Sequence, residues 1–485
     1  MMRRMFLTAT MSGVMLATLL AVTGPSTSTS PYLLPVGTAG VEFTSILTTG
    51  DAVKKKHNGN ETYRMVGIPD GLGAFDNGDG TITVLMNHEI PAGQGVTRDH
   101  GANGAFISAW QIRKSDLKVL NGEDLIKTVK LWDVPSQSYV EVPGTVFSRF
   151  CSADLPAASA FFNAASGLGF SEGRIHMNGE EVGGLGRAMA HVVAGRDHGT
   201  SYEFFKMGHH AWENLLACPF AQDKTIVMGN DDTSPRGKVY MYVGAKQDHG
   251  NPVELAGLAN GDVFEIQVQD FSGTPILDET GFGTEVRYWK PVATGGTKFE
   301  RPEDGAWDPS HPNWYYFVTT SNITPTATLS GHSKLWRISF IDLSQPDLGG
   351  KIELILDGET VKDGLGNPDP IKMMDNLAVD GDGNIIVQED VGNNARVGRI
   401  WKVVPGVSAS ATWIAQHDPA LFNAGAITQD EESSGVIEVT DLFKEVPGYD
   451  TINNRYFLLD VQNHKASADA ELFEGGQLLM MKVPN

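Results

Sequence analysis

Short apolar runs separated by Asp- and Gly-rich turns recur along most of the chain. Some of these runs alternate apolar with polar residues, as Leu335–Phe340 does, and others are apolar throughout, as Ile385–Val387 is. Turn sequences such as Asp380–Asn384 lead into the runs, and helical patterns are few. Alternation and Gly/Asp turns of this kind predict β-strands, so we predict an all-β fold. The predicted strands are Thr81–Met86, Lys127–Trp132, Thr225–Met228, Lys238–Val243, Asp262–Val268, Trp314–Thr320, Lys334–Phe340, Lys351–Leu356, Asn384–Gln388, Arg399–Val404, Tyr456–Val461 and Gln477–Val483.

Pairs of these strands recur in one form, in which a strand ending in acidic residues is followed by a strand that a glycine opens. Gly237–Tyr242 and Gly398–Val403 are examples of the second strand. Weak repetition of short strands favours a β-propeller over a sandwich or a solenoid. No long linker or low-complexity tract interrupts the chain, which predicts one domain over residues 31–485.

The first 30 residues have the pattern of an export signal. Arg3 and Arg4 are followed by an apolar run, Met5–Val22, which hydroxyl and small residues dilute. That dilution distinguishes a signal peptide from a membrane anchor, and the paired arginines resemble the twin-arginine export signal. We therefore expect a secreted or periplasmic protein with no membrane span in its mature form.

The chain is strongly acidic, with a formal net charge of −22 at pH 7. Nucleic acid is a poor partner for such a protein, because phosphate backbones require a basic face. Carboxylates are, however, the ligands that Ca²⁺ prefers. The His-Glu-x-x-His and Gly-x-Gly-x-x-Gly patterns are missing. We therefore expect neither a zinc protease nor a dinucleotide-binding enzyme, and we expect no serine hydrolase.

Acidic clusters lie where predicted strands meet loops, and each alone is an ordinary turn. In a propeller the inner strands all border one central channel, so carboxylates at equivalent strand ends converge there. Converging like charges repel one another unless cations neutralise them, which predicts metal ions in the channel. The clusters are Asn87-His88-Glu89, Asn178-Gly179-Glu180-Glu181, Asn230-Asp231-Asp232, Arg301-Pro302-Glu303-Asp304, Asp375-Asn376 and Gln388-Glu389-Asp390.

One arginine and two cysteines add to this pattern. Arg301 precedes a rigid proline, and its guanidinium suits a tetrahedral oxyanion; an ion pair with Glu303 or Asp304 is the alternative. Cys151 and Cys218 would form a disulfide in an oxidising compartment, or Cys151 would be a thiolate metal ligand. His464, at the end of a late strand, is a further candidate for the site.

Taken together, these segments resemble the PhoX-type alkaline phosphatases and their DUF839-like extracytoplasmic relatives. The resemblance covers roughly Gly80 to His464. It rests on Asn87-His88-Glu89, Cys151, Gly179-Glu180-Glu181, Asp231-Asp232, Arg301-Pro302-Glu303-Asp304, Asp375-Asn376-Leu377-Ala378, Gln388-Glu389-Asp390, Asp430–Ile437 and Leu458–His464.

The resemblance implies a six-bladed propeller with a metal cluster at its central channel, containing Ca²⁺ and Fe³⁺. Glu89 and Cys151 would be ligands on the iron side, and Arg301 would bind phosphate. Glu303 would act in catalysis together with Arg301. The residues implied for the calcium and bridging positions are Glu180, Glu181, Asp231, Glu303, Asp375 and Glu389.

The chain departs from the family at the cysteine, where Cys151-Ser152-Ala153-Asp154 replaces a Cys-Ala-Gly-Gly-like turn. Asp154 would then replace or supplement the thiolate, and calcium alone is an alternative to a calcium–iron cluster. The expected function is metal-dependent hydrolysis of a small anionic phosphate ester by a monomer. The alternatives are a calcium-dependent lactonase or phosphotriesterase-like hydrolase, and a non-catalytic calcium-stabilised propeller that binds a partner.

Overall fold

The computed structural model describes residues 21–37, 40–283, 285–321, 333–392, 396–406, 408–423 and 427–485. Most regular structure in these residues is β-strand, and every predicted strand coincides with an observed strand whose ends agree to within three residues. The all-β prediction is therefore confirmed. Arg3, Arg4 and the first part of the predicted export signal lie outside the described residues.

The strands were numbered in chain order. The first twelve are β1 (Ala21–Thr23), β2 (Leu33–Pro35), β3 (Glu42–Thr48), β4 (Ala52–Lys55), β5 (Asn58–Arg64), β6 (Pro69–Asp76), β7 (Thr81–His88), β8 (Phe106–Arg113), β9 (Val119–Asp124), β10 (Thr128–Asp133), β11 (Ser138–Glu141) and β12 (Phe150–Asp154). The next eleven are β13 (Phe162–Asn163), β14 (Leu168–Gly169), β15 (Gly173–Glu180), β16 (Ala188–Gly195), β17 (Thr200–Glu203), β18 (Trp212–Ala217), β19 (Lys224–Asp231), β20 (Val239–Ala245), β21 (Asp262–Gln269), β22 (Pro275–Ile276) and β23 (Arg287–Val292). The last eleven are β24 (Pro302–Trp307), β25 (Trp314–Thr319), β26 (Lys334–Phe340), β27 (Gly350–Asp357), β28 (Met374–Val379), β29 (Ile385–Glu389), β30 (Arg399–Val404), β31 (Ser410–His417), β32 (Glu431–Glu438), β33 (Asn454–Asn463) and β34 (Gly475–Pro484).

Helical structure in the described residues is limited to short segments. One α-helical turn, α1 (Pro252–Leu255), begins at Asn251, whose side chain accepts from the backbone N–H groups of Val253 and Glu254. The 3₁₀ turns are Ala158–Ala160, Gly183–Leu185, Phe205–Met207, Glu279–Gly281, Pro346–Leu348, Gly358–Thr360 and Thr440–Phe443. None of the helices in the described residues is both long and apolar enough to cross a membrane.

The strands form a β-propeller arrangement. Four sheets are separate blades, with strand orders β6-β7-β8-β9-β4-β5, β12-β15-β16-β17-β10-β11, β28-β29-β30-β31-β2 and β32-β33-β34-β3-β1. Six blades were predicted. Strands β18 to β27 instead form one continuous ten-stranded sheet, because β23 and β27 pair and join its two halves, and β13 and β14 pair as a small separate sheet. Its two end strands are β18 and β24.

The strands that border the central axis are β6, β12, β18, β24, β28 and β32, and neighbouring members contact one another all the way round. Chain ends close the ring, since β3 pairs with β34 in the sheet that β32 begins. β2 pairs with β31 in the neighbouring sheet. Residues assigned to the end of the predicted export signal also contact this framework, because Ala21–Thr23 pairs with β3 and the Ser26 hydroxyl accepts from the N–H of Val119.

Apolar side chains fill the spaces between adjacent sheets. One core lies between the sheets of β12 and β18, and another lies between those of β28 and β32. Trp110, Trp336 and Trp401 are fully buried, and each lies on the third strand from the axis. The apolar cores thus hold the six inner strands in fixed positions around the axis.

Candidate metal centre

The second residue of each inner strand lines one cavity on the axis. In five of the six strands a β-bulge lies across this residue, so the regular ladder to the second strand is interrupted there. A bulge redirects the side chains of the strand that contains it, which accounts for their position in the channel. The six residues are Asp70, Cys151, Glu213, Glu303, Asp375 and Glu432.

A second group of side chains reaches the same cavity from the second strand of each sheet. In four sheets the first residue after that strand is acidic and lines the cavity. In a fifth sheet the corresponding residue is His464, which contacts Glu432. The four acidic residues are Glu89, Glu181, Asp232 and Asp390.

Two arginines line the cavity as well, and each directly precedes an inner strand. Arg149 precedes β12 with φ 49°, and Arg301 precedes β24 with φ 43°. A residue other than glycine is strained in this left-handed region, and such strain concentrates at functional sites. Arg149 forms ion pairs with Glu89 (2.7 Å) and Glu181.

Arg301 lies among carboxylates of the cavity. Its Nη2 lies 2.6 Å from Asp232 and 2.9 Å from Glu303. The expected ion pair with Glu303 is therefore present, and Asp304 has different partners. Its carboxylate accepts from the side chain of Asn214 and from the N–H of Gly305.

The cavity has a volume of about 60 Å³ and is bordered by nine carboxyl groups, two guanidinium groups and one thiol. Burial raises the pKa of Asp70, Glu213, Glu303 and Asp375 well above their ordinary values. Burial also raises the pKa of Cys151. Without added cations, this concentration of buried acids favours the protonated forms.

Among the described residues, two groups of three side chains have ligand atoms within 4.8 Å of one another: Asp70, Glu89 and Cys151, and separately Glu213, Glu303 and Asp375. The second group offers only carboxylate oxygens, which suit Ca²⁺, and the first adds a thiol to two carboxylates. One oxygen of Asp70 and one of Asp232 are buried without a hydrogen-bond partner among the described residues. Such orphaned oxygens fit a cation.

Six of the residues predicted for the site do lie together on the cavity. They are Glu89, Cys151, Glu181, Arg301, Glu303 and Asp375.

The structure corrects three other predicted ligands, which point away from the cavity to their own partners. Glu180 accepts from Arg187 Nε at 2.5 Å and Nη2 at 3.0 Å. Glu389 accepts from Arg396 at 2.6 and 2.7 Å.

Asp231 is the third, and its carboxylate accepts from the hydroxyl of Thr233 at 2.6 Å. Glu180, Asp231 and Glu389 are the last residues of their strands, and successive side chains of a strand point to opposite faces. The next residue along the chain, in each case acidic, therefore occupies the cavity.

Several residues of the cavity were not predicted from the sequence. Asp232, Asp390 and Glu432 belong to segments that were singled out, and the position directly after the second strand could have identified the first two. In the inner strands, the cavity residue could have been recognised as an acid or Cys that is followed by a small polar residue or Gly, as in Glu213-Asn214. The residues not selected were Asp70, Arg149, Glu213, Asp232, Asp390 and Glu432.

The two cysteines are free and buried, so the alternative of a disulfide between Cys151 and Cys218 is not realised. The Cys151 Sγ lies 3.3 Å from an oxygen of Glu181, inside the cavity. Asp154, considered as a replacement ligand, instead accepts from the N–H of Ala217. It borders a different cavity, of about 370 Å³, together with Asp304.

His464 was predicted as a site candidate, and it lies at the edge of the cavity. Its ring nitrogens lie 3.5 Å from Glu432 and 2.9 Å from Glu474. Burial opposes protonation, but the two carboxylates raise the pKa of His464 to about 11. The imidazolium is therefore a third cation beside the carboxylates.

A Gly-x-Ser-x-Gly match does occur, at Gly169–Gly173. In a serine hydrolase this pattern lies between a strand and a helix. Here Ser171 is exposed and precedes strand β15. The match at Gly169–Gly173 therefore lies between two strands and not between a strand and a helix, as a nucleophile elbow would.

The positions of Asp231 and Asp232 lead to a test of the site with two neighbouring residues. Asp232 lines the cavity, either as a metal ligand or beside one. Replacing even a residue that only supports a metal ligand typically weakens metal binding about 10- to 100-fold. We therefore expect Asp232→Asn to weaken Ca²⁺ binding at least about tenfold. Asp231→Asn should leave it nearly unchanged, because this carboxylate bonds Thr233. Isothermal titration with CaCl₂ measures the Ca²⁺ affinity of both variants. Equal losses of affinity would contradict the assignment of Asp232, and not Asp231, to the cavity.

The fold has a counterpart among solved structures. No model of a known protein family matches the chain, and no curated protein matches it. PhoX of Pseudomonas fluorescens, solved in complex with vanadate, a transition-state analogue, is 10% identical with a TM-score of 0.58. The match covers 93% of this chain and 97% of that one.

Two glycoside hydrolases also match, with much lower structural similarity. The catalytic domain of a Coprinopsis cinerea GH62 α-L-arabinofuranosidase is 9% identical, with a TM-score of 0.29 and coverage of 77% and 96%. A Bombyx mori GH32 β-fructofuranosidase in complex with sucrose is 8% identical, with a TM-score of 0.34 and coverage of 86% and 89%. The similarity to PhoX extends over nearly the whole of both chains, and at this identity it shows that the two chains share a fold.

Proposed function

We propose that this protein is an extracytoplasmic, metal-dependent phosphohydrolase that cleaves phosphate esters as a monomer. The observation that carries the proposal is the pairing of guanidinium groups with a buried carboxylate ring in one cavity. A carboxylate ring that binds cations and also presents arginines suits an anionic substrate. The shared fold with PhoX, an enzyme solved with vanadate, supports the same chemistry.

Two metal positions follow from the donor sets. Glu213, Glu303 and Asp375 would hold Ca²⁺, with Asp232 and Asp390 beside them on the cavity wall. The group formed by Asp70, Glu89 and Cys151 would hold Fe³⁺, or Ca²⁺ if the thiol takes no part. When bound, such cations supply charge stabilisation to phosphoryl oxygens.

The chain itself contributes binding and orientation. Glu303 and Asp232 hold the Arg301 guanidinium from one side through Nη2, at 2.9 and 2.6 Å. A fixed guanidinium stabilises the charge that spreads over the phosphoryl oxygens in the transition state without moving first. Arg301 therefore binds the phosphoryl group, and Glu303 both positions Arg301 and serves a metal.

Two other functions would use a similar site. A calcium-dependent lactonase or phosphotriesterase-like hydrolase would need the cations. It would not need the strained arginines, because an arginine binds an anionic group and lactones carry none. A non-catalytic propeller would need the cations only for stability. The two arginines therefore favour an anionic ester over both alternatives.

Hydrolysis of a chromogenic phosphate monoester, a diester and a lactone separates these functions. The protein should be purified through its native export route and its calcium and iron measured by elemental analysis. We expect the phosphate ester to be hydrolysed and Arg301→Ala to lower kcat/KM about 10- to 100-fold, as for loss of a hydrogen bond to a charged group.

Glu303→Gln should lower activity as well, because it removes both a metal ligand and a partner of Arg301. Arg113→Ala is the control, because Arg113 pairs with Asp116 on the surface. Turnover of the lactone alone would support the alternative hydrolase. No turnover of any substrate with both metals supplied would support the binding propeller.

A further inference from the structure

Arg149 and Arg301 occupy equivalent positions in the propeller. Each is the last residue before an inner strand and has a positive φ of similar size. Each forms ion pairs with two carboxylates of the cavity, Arg149 with Glu89 and Glu181 and Arg301 with Asp232 and Glu303. Only Arg301 was selected from the sequence, but the two arginines have the same position and the same kind of partners in the structure.

The two guanidinium groups lie between the buried carboxylates and solvent. The side chains of Arg149 and Arg301 are 45% and 30% exposed. Their carboxylate partners are 3% to 16% exposed, so the acids lie deeper. A ligand that enters from solvent therefore meets the arginines before it meets the carboxylates.

Both guanidinium groups also have N–H donors that their carboxylate partners do not use. Every ion pair of Arg149 and Arg301 with these carboxylates uses the Nη2 atom. Among the described residues, Nη1 and Nε of either arginine donate no hydrogen bond. An arginine presents its N–H groups as a rigid fork that matches phosphate oxygens, so each retains free donors for an anion.

The two arginines border one small cavity, of about 60 Å³, so an anion bound there lies beside both of them. Burial raises the pKa of Asp232, and both Arg301 and Arg149 oppose that rise, so both arginines are within electrostatic reach of one carboxyl. Arg149 is thus a second cationic group on the cavity that Arg301 borders.

We propose that Arg149 is a second anion-binding residue and that the two arginines together select phosphate monoesters over diesters. This inference rests on the proposed phosphohydrolase function. A monoester has three non-bridging oxygens and a charge near −2 at neutral pH, so two guanidinium groups and a cation can each contact a separate oxygen. A diester has two such oxygens and a single charge, which leaves one of the three groups without a partner.

The test compares Arg149→Met with Arg196→Met. Arg196 is a matched control, because its side chain is also 45% exposed and forms an ion pair, with Glu172, away from the cavity. We expect Arg149→Met to weaken binding of inorganic phosphate to the calcium-loaded protein about 10- to 100-fold, as for loss of hydrogen bonds to a charged group. Titration calorimetry measures this, and Arg196→Met should bind as the wild type does.

The ratio of monoester to diester kcat/KM provides a second measurement. It should fall at least about tenfold in Arg149→Met and be partly restored in Arg149→Lys, which keeps the charge but not the fork. A purely structural role would lower both activities equally and would appear as a reduced melting temperature or reduced Ca²⁺ binding.

Two negative outcomes are distinguishable. If the wild type hydrolyses monoesters and Arg149→Met has unchanged phosphate affinity and an unchanged ratio, the role of Arg149 is wrong and the phosphohydrolase proposal stands. If the wild type neither binds phosphate nor hydrolyses any phosphate ester with both metals supplied, both proposals are wrong.

Discussion

Removing divalent cations should lower the melting temperature of this protein by several degrees. A cation that binds only the folded state at about 100 times its Kd stabilises that state by about 2.7 kcal/mol, so cations at the two donor groups together contribute about 5 kcal/mol. For a chain of 485 residues this corresponds to a shift of roughly 5 °C. Calorimetry with EDTA, and then with CaCl₂ restored, measures the shift.

A neutralising variant makes that test specific to the cavity. Asp375→Asn removes one acid of the group formed with Glu213 and Glu303. We expect the EDTA-treated variant to melt above the EDTA-treated wild type, because burial disfavours the ionised form of Asp375 and asparagine cannot ionise, and we expect the shift induced by Ca²⁺ to be smaller. Asp262→Asn, on an exposed residue at the start of β21, is the control. A melting temperature that EDTA leaves unchanged would contradict the metal centre.

The fold was predictable because it depends on local chemistry. Alternating runs such as Leu335–Phe340 and the turn at Asp380–Asn384 specify a strand or a hairpin without long-range information. In the structure, Asp380 closes that turn through backbone hydrogen bonds with Asn384 and Gly383. The pairing of β23 with β27, which merges two groups of strands into one sheet, joins residues about sixty positions apart and has no local signal.

The strand ends that form the site were predicted more reliably than the individual residue of each strand end that faces the cavity. Glu303 and Asp375 line the cavity because each lies at the start of an inner strand. Asp231 and Glu389 were chosen where Asp232 and Asp390 line the cavity, because a shift of one residue reverses the face of a strand.

Arg149 was missed for a different reason. The strained backbone that turns it towards the channel has no sequence signature of its own, and an arginine before Phe150 looks like any surface arginine. Spatial equivalence to Arg301, seen only when β12 and β24 are placed on one ring, identifies it.

The pH dependence of stability should have opposite signs with and without cations. Burial raises the pKa of Glu181 from 4.5 to about 7 and that of Asp390 from 3.8 to about 7. These carboxyls bind protons more tightly in the folded state, so in their protonated form they contribute to the free energy of unfolding. This contribution is fully present below about pH 4 and is lost as the pH rises through about 7. Each contributes on the order of 3 kcal/mol at low pH, since one pKa unit corresponds to about 1.4 kcal/mol.

In EDTA, the melting temperature should therefore fall between pH 5 and pH 8, which calorimetry at constant ionic strength measures. With saturating Ca²⁺ it should rise over the same range, because cations bind the ionised carboxylates and protons compete with them. Glu181→Gln should flatten the fall in EDTA, whereas Asp262→Asn should not. A melting temperature that rises with pH in EDTA would mean that the folded protein binds fewer protons than the unfolded chain over this range, so the cavity carboxylates would be stable in their ionised form without cations.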